Sequence, residues 1–258
     1  MPEAPQSVTS FGSRVVDCGA YKRILAFGDF EASGNIQASK IRSFGDNIVR
    51  GHCLVNDLFS AGNLRVEDSL DAKMVRSLGN VTIHGQLKAT QVHSMGDLSS
   101  TGHVSCQQFR LWGSAFLDAG LSAEQLSLTG TCRIGGLVTG DQIRIRSRGR
   151  CQFDEIGASA IAIRAGWDEN GCKGSAGLFN WKCRGTTQVR IIEADIISLE
   201  NTTAEVVRGQ AITLGKGCRI GTVEYSERLV QHPSAMIKHV HQVTSPGSGK
   251  ASQTEHHE

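Results

Sequence analysis

Apolar and polar positions repeat with a period of seventeen residues through the first half of the chain. One column of the repeat is glycine: Gly28, Gly45, Gly62, Gly79, Gly96, Gly113 and Gly130. A second column, eight residues after the glycine, is apolar: Ile36, Cys53, Leu70, Leu87, Val104, Leu121 and Val138. A third column, thirteen residues after it, is also apolar: Ile24, Ile41, Leu58, Val75, Val92, Phe109, Leu126 and Ile143. Self-similarity at a short fixed period predicts a stack of similar structural units.

Within one period, apolar residues alternate with polar ones. Between Gly79 and Leu87, Val81 and Ile83 share one side, and the intervening polar residues share the other. The i, i+3, i+4, i+7 spacing of an amphipathic helix is missing. A helical solenoid also needs roughly 33 to 47 residues per unit. The pattern therefore predicts short, half-buried strands.

We predict an all-β fold, a single-stranded parallel β-helix with about 17 residues per coil and a right-handed turn. Each coil would contribute short strands around a narrow core and pair with the next coil at ~4.8 Å. The glycine column predicts a corner at which φ is positive or neighbouring coils approach closely, because a Cβ would obstruct either arrangement.

The periodicity divides the chain into five segments. We expect a flexible tail over residues 1–10, β-helix coils over 11–165, an insertion over 166–187, resumed coils over 188–226 and a disordered tail over 227–258. After the glycine-rich insertion, Val189, Val206 and Val223 restore the seventeen-residue spacing. Together the two coil stretches predict on the order of ten to twelve coils and a rod roughly 50 Å long.

Composition narrows the class of protein. The 27 Lys and Arg residues nearly balance the 25 Asp and Glu residues, so the net charge of +2 gives no general attraction to nucleic acid. The N-terminus lacks the basic and apolar regions of a signal peptide, and no apolar run is long enough to span a bilayer. We therefore expect a cytoplasmic protein. The 8 cysteines are expected to be mostly reduced and buried, because a long continuous core does not need disulfides.

The sequence shows none of the spacings typical of an enzyme site. A phosphate-binding loop, a dinucleotide-binding turn, a nucleophile elbow and a zinc-protease motif are all missing. We predict no catalytic, cofactor-binding or metal-binding residues.

Two groups of residues are candidates for contact with a partner. Arg144, Arg146, Arg148 and Arg150 project from one side of a predicted strand, either as a solvated face or as a docking site for an anionic surface. In the insertion, Trp167 and Trp181 either pack the loop onto the coils or contact a partner directly.

The coil sequence resembles the bactofilins, which are polymer-forming cytoskeletal proteins of bacteria. The resemblance rests on the continuous seventeen-residue coil with its Gly-Asp or Gly-Asn corner, and it covers about residues 24–225. Residues 191–209 and 217–225 are similar to the longer, Firmicutes-type members. The resemblance implies nucleotide-independent filaments without cofactors that lie at the inner face of the membrane and position envelope or motility machinery.

A β-helix also leaves an unpaired strand edge at each end, and such edges template further pairing unless they are covered. No segment at either terminus has the pattern of an amphipathic capping helix. We therefore predict a homopolymer joined through terminal coils, with client proteins and a peripheral membrane surface as further partners. The predicted polymer interface comprises Ile24, Phe27, Phe30, Val206, Ile212, Leu214, Ile220 and Val223.

Two other functions stay open. Residues 212–221 resemble one repeat of the hexapeptide-type acyltransferases, whose coils have eighteen residues, and acetyl-CoA binding would identify such an enzyme. Alternatively, the protein is a monomeric adaptor that binds a partner through residues 166–185 or through the arginine-rich strand.

Overall fold

The computed structural model describes residues 6–166 and 185–243, and these residues form one solenoid of parallel strands. The fold is all-β, with 79% strand, no helix in the described residues and about 13 turns spaced roughly 17 residues apart. The predicted parallel β-solenoid is confirmed. At ~4.8 Å per coil, the rod is roughly 60 Å long, which exceeds the length predicted from the sequence.

The described residues contain seventeen strands. In chain order they are β1 (Gln6–Ser10), β2 (Arg14–Val16), β3 (Gly19–Ala26), β4 (Phe30–Ala32), β5 (Ile36–Ser43), β6 (Asn47–Val49), β7 (Cys53–Ser60), β8 (Leu64–Val66), β9 (Leu70–Leu78), β10 (Val81–Ile83), β11 (Leu87–Ser100), β12 (Val104–Leu117), β13 (Leu121–Ala165), β14 (Thr186–Leu199), β15 (Thr202–Leu214), β16 (Arg219–Gln231) and β17 (Met236–Gln242). The 45-residue β13 bends at the corners and winds through more than two coils.

The seventeen-residue register holds from β3 to β12. Ile36 pairs with Cys53, Cys53 pairs with Leu70, and Leu87 pairs with Val104. Every residue of the two apolar columns is buried. The alternation of apolar and polar residues therefore fills the interior with aliphatic ladders, and Phe109 is the largest of the fully buried side chains.

The glycine column forms a corner of the coil, as predicted. Gly62 has a φ of +139° and Gly130 a φ of +148°, in the region that favours glycine. A Cβ on Gly62 would lie 2.5 Å from the carbonyl oxygen of Gly45, and a Cβ on Gly130 would overlap that of Gly113. Both proposed reasons for the column, positive φ and close approach of the coils, are confirmed.

The register changes after the insertion. Val189 pairs with Ala204 rather than with Val206, and Val207 rather than Val206 pairs with Val223. The advance is fifteen residues from β14 to β15, and sixteen residues over the first part of the pairing of β15 with β16. The expectation that Val189, Val206 and Val223 form one column is wrong.

The coils also extend further at both ends than predicted. β1 pairs with β3, so the flexible tail predicted over 1–10 is wrong for residues 6–10. β16 continues to Gln231 and pairs with β17, so the tail predicted from 227 is wrong up to Gln242. β13 ends at Ala165, immediately before the insertion predicted over 166–187, but β14 begins at Thr186, so the last two residues of that range belong to a strand. Residues 1–5, 167–184 and 244–258 lie outside the described residues.

Candidate assembly surfaces

The N-terminal end of the described solenoid is an open strand edge. β1 pairs only with β3, and β2 pairs only with β4. Phe11 and Val15 on this coil are strongly exposed apolar residues. The first described coil thus presents unpaired backbone groups together with apolar side chains.

The C-terminal end has the same character. β17 pairs with β16 on one side and with no strand of the described residues on the other. Met236, Val240 and Val243 are all exposed on this last coil. Each end therefore offers an edge to which a further strand could add.

The predicted N-terminal polymer interface lies one coil too far inside. Ile24 is fully buried between Val8 and Ile41, and Phe30 is buried in a strand that pairs with both β2 and β6. Phe27 is exposed, but on the side of the rod rather than at its end. Ile24 and Phe30 therefore do not lie at the end of the rod, because residues 6–16 form a coil that covers them, and a role for Phe27 in self-association stays a prediction.

The predicted C-terminal interface is displaced in the same way. Its four buried members are covered by the next coil: Ile212 pairs with Leu229, Leu214 with Gln231, Ile220 with Ile237 and Val223 with Val240. Val206 is half-buried and pairs with residues on both sides, Ile191 and Thr222. None of the five residues lies at the end of the described solenoid, because β16 and β17 continue it beyond them.

A line of exposed apolar side chains runs along the side of the rod, one per coil, immediately before each glycine corner. We call it the apolar stripe, and it comprises Phe11, Phe27, Phe44, Leu78, Met95 and Trp112, with the smaller Ala61 between Phe44 and Leu78. Their exposed fractions range from 44% for Phe44 to 82% for Phe11. Of these residues, only Phe27 was among the candidates predicted from the sequence.

The members of the stripe lie next to one another on either side of Ala61. The rings of Phe11 and Phe27 stack with centroids 5.2 Å apart, and those of Phe27 and Phe44 stack at 5.4 Å, each pair within 6° of parallel. Leu78 pairs with Met95, and Met95 pairs with Trp112. The next coil places Thr129 in this row, so the apolar character ends at Trp112.

A basic row flanks one side of the stripe. It lies two residues before the stripe and comprises Arg42, Arg76, His93 and Arg110, with the apolar Leu25 and Phe59 at the same position of two other coils. Arg76 donates to Asp57 at 2.9 Å. Burial, followed by the charges of Arg110 and Arg76, lowers the pKa of His93. The imidazole is therefore neutral at neutral pH, and the row's charge comes from its arginines.

An acidic and amide row flanks the other side, two residues after the stripe. The amide of Asp46 donates to Asp29 Oδ1 at 3.1 Å, and Asn63 Nδ2 donates to Asp46 Oδ1 at 2.7 Å. Asn80 Nδ2 continues the ladder to Asn63 Oδ1 at 3.1 Å. Asp97 follows at the next coil. The stripe thus separates positive from negative charge around the rod.

The arginine-rich strand lies beyond the C-terminal end of the stripe. Arg144, Arg146 and Arg150 are exposed, and they alternate with inward residues as predicted. Arg148 is half-buried, and its guanidinium lies 5.6 Å from the centre of the Trp112 ring. Docking of an anionic surface to this strand stays a prediction. Trp167 and Trp181 lie outside the described residues.

A shallow groove of about 1210 Å³ runs over the C-terminal coils. Charged residues of both signs line it: Arg133, Asp154, Arg190, Glu205, Arg219 and Lys238. Among the described residues, no three His, Cys, Asp or Glu side chains come together in a way that could hold a metal ion. The part of the chain that the structure describes also has no helix of the length and hydropathy needed to cross a bilayer.

The chain is similar to two proteins of Bacillus subtilis (strain 168). It is 34% identical to the uncharacterized protein YhbE over 107 residues, which cover 41% of this chain and 43% of YhbE. It is 35% identical to the uncharacterized protein YhbF over 104 residues, which cover 40% of each protein. The matched segments thus span less than half the length of either relative. No protein-family model and no solved structure matches the chain.

Proposed function

We propose that this protein is a nucleotide-independent, polymer-forming scaffold whose rods join end to end through their terminal coils. The observation that carries the proposal is the pair of open edges. In the described residues, β1 and β2 are paired on one side only, and so is β17. Exposed apolar side chains accompany both edges, including Val15 and Val240. Uncovered edges of this kind recruit further strands.

The strand lengths indicate how strong such a junction is. An internal coil boundary, between β11 and β12, pairs 13 residues. β17 offers 7 residues, and β1 and β2 offer 5 and 3. About seven hydrogen bonds at ~0.5–1.5 kcal/mol each contribute roughly 4–10 kcal/mol. Association costs about 4–15 kcal/mol, so burial of the apolar side chains decides the balance and assembly depends on concentration.

The resemblance to the bactofilins supports the same function. That resemblance rests on the seventeen-residue coil with its glycine corner, and the register of β3 to β12 has this period. By the same analogy, the filaments lie at the inner face of the membrane and position envelope or motility proteins. The exposed Arg144, Arg146 and Arg150 are the described residues best suited to an anionic client or lipid headgroup.

The test is assembly of the purified full chain without ATP or GTP, followed by light scattering and negative-stain electron microscopy. A C-blocked variant combines Met236→Lys with Val240→Lys, because lysine on an edge strand opposes strand addition. The matched control combines Leu54→Lys with Leu137→Lys, which are similarly exposed but lie on the side of the rod. We expect filaments from the wild type and the control and none from the C-blocked variant.

The C-blocked variant also reports which ends meet. If an N-terminal end joins a C-terminal end, the variant stays monomeric, because every junction needs a C-terminal end. If like ends meet, the variant stops at dimers joined through β1 and β2. Wild-type protein that stays monomeric at high concentration, or C-blocked protein that still forms filaments, would contradict the proposal.

The adaptor alternative is favoured by one observation, the exposure of three arginines on a single coil. Deletion of residues 166–185 or replacement of Arg144 and Arg146 by serine should then abolish partner capture while leaving the circular dichroism spectrum unchanged. The acyltransferase alternative stays a prediction, which a measurement of acetyl-CoA binding would test.

A further inference from the structure

We infer that the apolar stripe is a lateral contact between two copies of this chain, which lie side by side and point in the same direction. This contact is distinct from the end-to-end junction, because its residues face sideways from the rod. Its occupant is the stripe of the second copy, related by a two-fold axis parallel to the rods.

The stripe is too regular and too large to be scattered surface hydrophobicity. It repeats over seven successive coils from Phe11 to Trp112, with a single small residue, Ala61. At ~4.8 Å per coil, it runs for roughly 29 Å. Single exposed apolar residues need no explanation, whereas a contiguous patch marks an interaction site.

The neighbouring inward row shows that the exposure does not simply follow from a lack of apolar residues at this corner. In four successive coils, the residue just before the stripe is a buried serine: Ser43, Ser60, Ser77 and Ser94. One coil later the row changes to Leu111 and then to Leu128, both buried. The stripe ends one coil after this change, where Trp112 is followed by Thr129. In the four coils with a buried serine, the stripe residue beside it lies outside, whereas in the coil of Leu128 the aliphatic residue lies inside and Thr129 lies outside.

Charge fixes the relative direction of the two copies. When two rods face each other through their stripes and run in parallel, the two-fold axis brings the basic row of each copy opposite the acidic row of the other. Arg42 then faces Asp46 of the second copy. Antiparallel rods would place arginine opposite arginine and aspartate opposite aspartate, which costs several kcal/mol for close pairs. Arg42 makes no ion pair within the described residues, so it is available for this contact.

The arginine-rich strand limits the contact. By the seventeen-residue spacing, Arg146 follows Trp112 and Thr129 in the row of the stripe, so a parallel partner would bring the two Arg146 side chains together. The paired surface therefore ends near Trp112, and it leaves Arg144, Arg146 and Arg150 free for anionic clients.

The size of the contact predicts a weak dimer. The stripe and its two flanking rows together span five residues of each strand, or about 17 Å, over a length of roughly 30 Å. Such a patch covers about 500 Å² on each copy, or about 1,000 Å² in total, which is at the lower limit of specific interfaces. Rods in a filament would repeat the contact at every subunit, so its effective strength rises by multivalency. Isolated rods should dimerise at micromolar to millimolar concentration, whereas two filaments should pair along their whole length.

The decisive measurement is sedimentation equilibrium of protein blocked at both ends, with Thr9→Pro and Val15→Lys in the first coil and Met236→Lys and Val240→Lys in the last. We expect a monomer–dimer equilibrium. Leu78→Glu with Met95→Glu should weaken it by on the order of 100-fold, because charges would be buried at the centre of the contact. The control, Leu54→Glu with Leu137→Glu, adds the same charge elsewhere and should leave it unchanged. Melting curves establish that each variant is folded.

Charge reversal tests the direction. In the parallel arrangement, Arg42→Asp and Asp46→Arg each weaken the dimer, and the double variant restores it. Strengthening by Arg42→Asp alone would overturn the parallel arrangement, because it would show arginine facing arginine. End-blocked rods that stay monomeric at millimolar concentration, or dimers that are insensitive to Leu78→Glu with Met95→Glu, would overturn the inference itself. Since the rods are end-blocked, these results do not depend on whether filaments form.

Discussion

The glycine corner gives the sharpest prediction about the fold. Gly130 has a φ of +148°, and a Cβ there would overlap the carbonyl oxygen of Gly113 in the preceding coil. Forcing a non-glycine residue into a sparsely populated backbone region costs about 1–3 kcal/mol. Displacing a well-packed neighbour costs about a further 1–3 kcal/mol. We therefore expect Gly130→Ala to lower the free energy of unfolding by roughly 2–6 kcal/mol, a large fraction of the ~5–15 kcal/mol that stabilises a typical domain.

The assay is urea denaturation followed by circular dichroism, with Gly157→Ala as the matched control. A Cβ on Gly157 would meet nothing within 4 Å. The control should change the free energy of unfolding by less than about 1 kcal/mol. Because each coil contacts only its neighbours, hydrogen exchange in Gly130→Ala should rise mainly in the adjacent coils. Equal stability of the two variants would refute the view that close approach of the backbones requires glycine at this corner.

Two further predictions concern ionisable groups. Burial raises the pKa of the Cys53 thiol to about 12, whereas Cys18 is exposed. Iodoacetamide at pH 8 should therefore modify the native protein at Cys18 and not at Cys53. Peptide mass spectrometry would show which of the two cysteines is modified. For Asp57, burial opposes ionisation, but hydrogen bonds from Arg76 and Lys40 outweigh it and lower the pKa of the carboxyl. This stabilisation is present above the ordinary aspartate pKa and is lost as the pH falls through the lowered value, so Asp57→Asn should reduce the melting temperature at pH 7 and not at pH 2; an equal reduction at both values would contradict the assignment.

The buried residues could be predicted from the sequence because coils of equal length repeat along the rod. In a stack of coils, equivalent residues superpose, so a column such as Leu70, Leu87 and Val104 appears in the sequence at the same spacing at which it packs. The glycine column follows from the same superposition. The apolar columns and the glycine column could both be predicted from the length of the repeat and from the side of the strand on which each residue lies.

The ends of the rod could not be predicted in this way. A terminal coil has a neighbour on one side only, so its residues are under weaker constraint to be apolar, and β17 consists mainly of exposed residues such as Lys238, His239 and His241. The sequence pattern of β17 is therefore close to that of a disordered tail. In coils of fifteen and sixteen residues, a spacing of seventeen does not connect equivalent positions. Val206 was therefore assigned to a buried column that Val207 occupies.

The apolar stripe was missed for a different reason. Its residues stand out in the sequence as apolar, but the sequence does not make it obvious that they point outward. In the run from Val75 to Leu78, alternation places Val75 and Ser77 inside and Arg76 and Leu78 outside. Exchanging Ser77 and Leu78 would bury an aliphatic side chain and stabilise the rod by about 1.5–3 kcal/mol per coil. The chain forgoes that stabilisation in several successive coils and recovers it once the row changes to Leu111. Stability of the single rod therefore does not account for the stripe, whereas a contact made only when two rods meet does.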